Sequence, residues 1–187
     1  MIFASGSGTN AEQIIRYFQP GTYATVALVM SNRKDAGVHD RCRSLNVPSC
    51  TFSRHDLYQS DAVVRLIDEI RPTLLILAGF LWLVPETILE RYPVRILNIH
   101  PALLPDFGGP GMYGQRVHEA VLAAGKTESG ITIHTIDKDY DRGKIIFQAT
   151  CPVLPDDTSD SLAMRIHTLE HEHYPRVILD YLTTLND

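Results

Sequence analysis

The chain has 187 residues, a formal net charge of −5 and three cysteines, which suits one domain over residues 1–187 with a substantial core. No apolar run approaches the length of a membrane span, and no Lys/Arg-rich block offers the clustered basic surface that nucleic-acid binding leans on. The expected partners are therefore small molecules, with no nucleic acid and no membrane. Cys42, Cys50 and Cys151 are odd in number and form no C-x-x-C pair, which argues against a disulfide framework or structural zinc. With no signal-peptide pattern at the start, that usage points to a reducing cytoplasm.

In chain order, residues 2–4 read as a strand, followed by the turn Ser5-Gly6-Ser7-Gly8-Thr9-Asn10 and a helix over 11–18. Strands over 25–30, 49–52, 74–78 and 96–99 then alternate with helices over 35–45, 60–70 and 86–91. The strands are apolar almost throughout, the mark of a parallel sheet covered on both faces. A Gly- and Pro-rich loop over 104–114 leads to a helix over 115–124. Two strands over 130–136 and 144–153 flank an acidic turn, and a last helix over 159–182 follows several possible N-caps. The expected fold is one doubly wound, mostly parallel, Rossmann-like α/β domain with a C-terminal hairpin and long helix. Ligands of such folds lie outside the carboxyl ends of the strands.

The first turn fits the G-x-G-x-x-G/A dinucleotide fingerprint through Gly6, Gly8 and Ala11. Backbone N–H groups at a helix start favour an anion, and Thr9 and Asn10 add side-chain donors; a plain capped turn is the simpler reading. A nicotinamide cofactor needs an acid at the end of the second strand, where this chain reads Met30-Ser31-Asn32-Arg33. Only an NADP-type reading through Arg33 survives.

In "RILNIHPALLP", Asn98 and His100 are two apart and share one strand face. An amide donor beside an imidazole can hold an oxyanion and move a proton, whereas a satisfied buried histidine would do neither. The run Asp137-Lys138-Asp139-Tyr140-Asp141-Arg142-Gly143 imitates a calcium loop but has its glycine one position late and Gln148 at the twelfth position. Asp141 is its interesting carboxylate, if the turn folds back toward His100. His167-x-x-Glu170-His171 matches an inverzincin pattern without a further evident zinc ligand, so Glu170 reads better as a hydrogen-bonding carboxylate. "LAGFLWLVP" mixes a strand end with an apolar loop suited to a flat heteroaromatic ligand, although Leu81 and Val84 also suit ordinary core.

"ASGSGTN", "LAGFLWLVP", "LNIHPALLP", "SGITIHTIDKDYDRGKIIFQ" and "HTLEHEHYPRVI" together resemble the folate-dependent phosphoribosylglycinamide formyltransferases of purine biosynthesis, from Ala4 to Ile178. The resemblance implies the formyltransferase version of the fold. It also implies transfer of a formyl group from the co-substrate 10-formyltetrahydrofolate to glycinamide ribonucleotide, with no metal. Asn98, His100 and Asp141 match the catalytic trio. Gly8, Thr9, Asn10, Pro101 and Glu170 match ribonucleotide-binding positions. Leu81, Trp82, Leu83, Val84, Asp137, Lys138, Asp139, Tyr140 and Asp141 match the folate loops, and Arg54 matches a folate-site arginine. Trp82 departs from the arginine of many members, and the run "GGPGMYG" is longer than in some.

Three rivals are weighed against that reading. A methionyl-tRNA formyltransferase would need a tRNA-binding domain and more basic surface. A formyltetrahydrofolate hydrolase usually carries a further N-terminal domain, whereas this chain is expected to start at its first strand. A non-catalytic NADP-binding domain leaves Asn98, His100 and Asp141 unexplained. A monomer and a homodimer are both compatible with the sequence.

Overall fold

A computed structural model describes residues 1–19, 23–138 and 141–185. The first half contains β1 (Ile2–Ala4), α1 (Thr9–Tyr17), β2 (Val29–Ser31), α2 (Val38–Ser44), β3 (Ser49–Thr51), α3 (Arg54–Tyr58) and α4 (Ala62–Ile70). The second contains β4 (Leu75–Leu77), α5 (Glu86–Arg91), β5 (Ile96–His100), α6 (Gln115–Ala123), β6 (Glu128–Thr135), β7 (Ile145–Pro152) and α7 (Ser159–Thr184). Among the described residues the strands form one sheet in the order β3-β2-β1-β4-β5-β6-β7. Strands β1 to β5 are parallel, and β6 and β7 return antiparallel as a hairpin. No helix of the described residues is long and apolar enough to cross a membrane.

Side chains alternate across a strand, so a strand buried on both faces must be apolar at every position. Ile2 and Ala4 of β1 enter one core with α1, α2, α6 and α7, while Phe3 enters a second with α3, α4 and α5. Around β4, Leu74, Ile76 and Ala78 join the first core and Leu75 and Leu77 the second. In β5, Leu97 and Ile99 face the first core and Ile96 the second, which puts Asn98 and His100 on the side of Ile96.

The plan read from the sequence holds, with local departures. β2 is three residues long, and Val26 packs against the first core outside the ladder. α3 was not expected: Ser53 and Asp56 close a capping box in which Asp56 N donates to Ser53 Oγ (3.1 Å) and Ser53 N to Asp56 Oδ2 (2.7 Å). α7 runs two residues further than expected and carries Pro175 in its interior. Proline removes one helical donor there, but Ile166, Tyr174, Ile178 and Leu182 anchor the helix on the sheet from both sides of it.

Tyr174 also ties strands together. Its ring is fully buried, and its hydroxyl lies 3.0 Å from Leu77 O of β4 and 3.1 Å from Leu97 O of β5. Burial pushes its phenol pKa well above the ordinary value, so the proton needed for those contacts is retained. Tyr174→Phe removes the hydroxyl's hydrogen bond and should cost about 0.5–1.5 kcal/mol. Thermal unfolding should show a melting temperature lower by about 2–4 °C per kcal/mol for a chain of this size. An unchanged melting temperature would remove the strand-tying role.

Candidate active site

The sheet order reverses between β1 and β4, and the chain leaves those neighbouring strands in diverging directions, which opens a crevice at their carboxyl ends. Ser5 laces the two sides: its N–H donates to Gly79 O (3.0 Å), and its Oγ accepts from Leu81 N (3.0 Å). Above this point lies a cavity of about 370 Å³.

One end of the cavity is the turn into α1. Gly8 caps the helix in a left-handed conformation (φ 76°), and a Cβ there would press into Val38 of α2. No side chain caps α1, so its first-turn N–H groups remain available to an anion. Residues 6–10 all line the cavity, Thr9 and Asn10 among them.

At the centre, β5 presents Asn98 and His100, with Pro101 beside them on the cavity wall. His100 is 3% exposed; its Nε2 donates to Phe107 O (2.8 Å), which leaves Nδ1 on the side of Asp141, 3.7 Å from Oδ2. The turn after β6 does fold back toward β5. Asp141 holds a left-handed backbone (φ 55°), and its Oδ2 accepts from Gly109 N (2.9 Å). Glycines permit this approach: a Cβ on Gly143 would collide with Thr135 O, and one on Gly108 with Leu104 and the Asp141 side chain.

A third cluster comes from α7. Glu170 is buried, and its Oε2 accepts from Asn10 Nδ2 (2.9 Å) and His167 Nδ1 (2.8 Å). The hydrogen bond to Glu170 raises the His167 pKa, whereas desolvation lowers that of His171, whose ring stacks on His167 at 6.2 Å. The histidine pattern thus carries a carboxylate shared with α1. Among the described residues no group of three or more His, Cys, Asp or Glu is arranged to hold a metal ion.

The far wall is the apolar loop after β4, where Leu81, Trp82, Leu83 and Val84 all line the cavity. Trp82 meets Phe52 and Phe80 with centroids 6.1 and 6.5 Å apart, and the Arg54 guanidinium lies over Trp82 (5.6 Å) and Tyr58 (5.3 Å). Arg54 itself is outside the cavity lining. Asp137 lines the cavity, Lys138 is exposed and does not line it, and Asp139 and Tyr140 lie outside the described residues.

Two histidines of the site were not anticipated. His134 of β6 is fully buried, with Nε2 3.1 Å from Asn98 Nδ2 and 3.7 Å from Asp141 Oδ1. His118 of α6 is 3% exposed and lines the cavity, and its pKa is lowered by desolvation. The alternating "ITIHT" run signals that His134 occupies a sheet face, but its partner on β5 follows only from strand pairing.

Comparison with known proteins gives a consistent family. The formyl transferase family model matches residues 1–178. The chain is 39% identical over 183 residues to a chloroplastic phosphoribosylglycinamide formyltransferase of Arabidopsis thaliana, covering 95% of this chain and 63% of that protein. It is 35% identical over 187 residues to the phosphoribosylglycinamide formyltransferase of Bacillus subtilis (strain 168), covering 97% of this chain and 93% of that one. The chain thus spans under two thirds of the plant relative and nearly all of the bacterial one. The crystal structure of glycinamide ribonucleotide transformylase 1 from Symbiobacterium toebii superposes with a TM-score of 0.87 at 35% identity, covering 95% of this chain and 84% of that one.

The Glu170 cluster makes a titration prediction. His167 should titrate above, and His171 below, the ordinary imidazole value of about 6.5. Because the folded pKa of His167 is raised, the pair stabilises the fold below the ordinary value and that contribution is lost as pH rises through the His167 midpoint. NMR titration should find the His167 midpoint lowered in Glu170→Gln; an unmoved midpoint would contradict the pairing.

Proposed function

The chain belongs to the formyl transferase family, among its phosphoribosylglycinamide formyltransferases, and on that premise we propose that it moves the formyl group of 10-formyltetrahydrofolate onto the amine of glycinamide ribonucleotide. One observation carries this reading: Asn98, His100 and Asp141 converge in one cavity between an uncapped helix start and an apolar, tryptophan-bearing loop. The helix start suits a phosphate, and the loop suits a flat heteroaromatic ring. The reacting groups lie between the two.

In this proposal the ribonucleotide phosphate sits on the N–H groups around Gly8, Thr9 and Asn10, with Pro101 alongside. Asn10 and His167 both donate to Oε2 of Glu170, which leaves Oε1 to accept from ribose hydroxyls. The pterin lies against residues 81–84 and the turn carrying Asp137 and Asp141, with Arg54, Lys138, Asp139 and Tyr140 assigned to the same folate side. The amine nitrogen then attacks the formyl carbon, and the carbonyl pair moves onto oxygen. Asn98 and the His100 imidazolium donate to that oxyanion, for which they are held in place before reaction. The carboxylate of Asp141, 3.7 Å from His100 Nδ1, stabilises the imidazolium. It also relays the proton that the amine loses, through water, to the departing folate nitrogen. Collapse re-forms the carbonyl and breaks the bond to the folate nitrogen, which takes up that same proton, giving formylated ribonucleotide and tetrahydrofolate. The chemistry assigned to the chain is electrostatic and acid–base, without a metal or covalent intermediate.

Hydrolysis of the formyl-folate would place water where the amine attacks. It leaves the uncapped start of α1 and the Glu170–Asn10 pair without a role, and a bound dinucleotide leaves Asn98, His100 and Asp141 without one. Tetrahydrofolate release from 10-formyltetrahydrofolate should require glycinamide ribonucleotide. Release without it would establish the hydrolase, and no release with both would overturn the proposal. His100→Ala and Asp141→Asn should each lower kcat by about 10²-fold or more. KM for the ribonucleotide should stay within about threefold, as expected for groups acting mainly in the transition state.

A further inference from the structure

Asn98 and His134 are register partners across the β5–β6 pair, so their side chains stand on one face of the sheet. Asn98 Nδ2 and His134 Nε2 are 3.1 Å apart, and His134 Nδ1 is 2.8 Å from Thr135 O. A carbonyl oxygen only accepts, so Nδ1 must carry a proton. In a neutral ring that leaves a lone pair on Nε2, which accepts an N–H from Asn98. An amide turned the other way would set its oxygen against that lone pair. His134 therefore selects one of two near-isosteric orientations of Asn98.

We infer that His134 is a positioning residue for the proposed formyl transfer: it accepts one Asn98 N–H and so directs the other N–H of the same amide at the developing oxyanion. The inference rests on the proposed reaction, in which Asn98 must donate. Without an acceptor on β6, the amide has no reason to keep its nitrogen toward the reacting carbon. The groups facing the His134 ring are Asn98 from β5, the carboxylate of Asp141 at 3.7 Å, and the charges of His100 and Asp137 further off. Burial, the largest influence on the ring, disfavours its cationic form. Asp141 Oδ1 at 3.7 Å is beyond hydrogen-bond reach of Nε2, so it does not replace Asn98 as the partner.

Two substitutions separate this role from simple packing. In His134→Gln the amide oxygen takes the place of Nε2 and still accepts from Asn98. In His134→Asn the shorter side chain reaches only the place of Nδ1. With His134→Asn, kcat should fall by about 10–10²-fold, the range below outright loss of an oxyanion donor. KM for both substrates should stay within about twofold, and His134→Gln should keep kcat within about threefold of the parent. Equal losses in the two variants, or a loss expressed in KM, would overturn the inference. A parent protein without transfer activity would instead overturn the proposed function, so the two failures are distinguishable. Independently of activity and of variant folding, imidazole ¹⁵N NMR of the unchanged protein should show His134 protonated on Nδ1 and bare on Nε2 near neutral pH. A proton on Nε2 would refute the assignment.

Discussion

Everything in the site depends on a gap the sheet cannot close. Strands β2 and β3 lie to one side of β1, while β4 and the later strands lie to the other, so the connections leaving β1 and β4 part company. Ser5 spans that gap with two hydrogen bonds, one from its backbone and one to its side chain. A larger apolar residue at this 1% exposed position would lose the acceptor for Leu81 N and push the two loops apart. The phosphate-type turn and the apolar loop take their separation from this hydroxyl.

The centre of the site is built differently from its ends. Its ends use general devices, a helix start and an aromatic wall, each tolerant of small shifts. Its centre uses three side chains from β5 and the turn after β6, fixed by contacts to Phe107 O, Gly109 N and the buried ring of His134. Preorganised donors act on charge that develops during reaction without having to reorient then. The left-handed backbone at Asp141 and the tight glycine contacts at positions 108 and 143 are the steric conditions of that fixation.

The fold was legible because doubly buried strands must be apolar at every position, and β1 and β4 are, while β5 departs from the rule only at Asn98 and His100. Elements whose existence rests on a local cap rather than on apolar periodicity were less visible, as α3 demonstrates. The pairing of Asn98 with His100 on one face followed from strand alternation alone. Where Asp141 would lie did not, because the turn's direction is set by the left-handed backbone at Asp141 and the close approach at Gly143, which leave no periodic trace. His134 was hidden for another reason: the alternation of β6 puts it on one sheet face with Thr132, but its partner Asn98 follows only once the strand beside it is known. The Glu170 cluster was half legible, since helical spacing brings His167 and His171 together but says nothing of Asn10, 160 residues away.

The antiparallel register of β5 on β6 has a consequence for the quality of the folded molecule. Asn98 faces His134 and His100 faces Thr132, and the partner strand β7 already carries an irregularity next to His134. A slip of one residue would send each side chain of β6 to the opposite face while keeping most of the backbone ladder. That slip would take Ile131 and Ile133 out of the first core and put Thr132 and His134 into it. The burial that packs the hairpin is thus the same force that aligns Asn98 with His134.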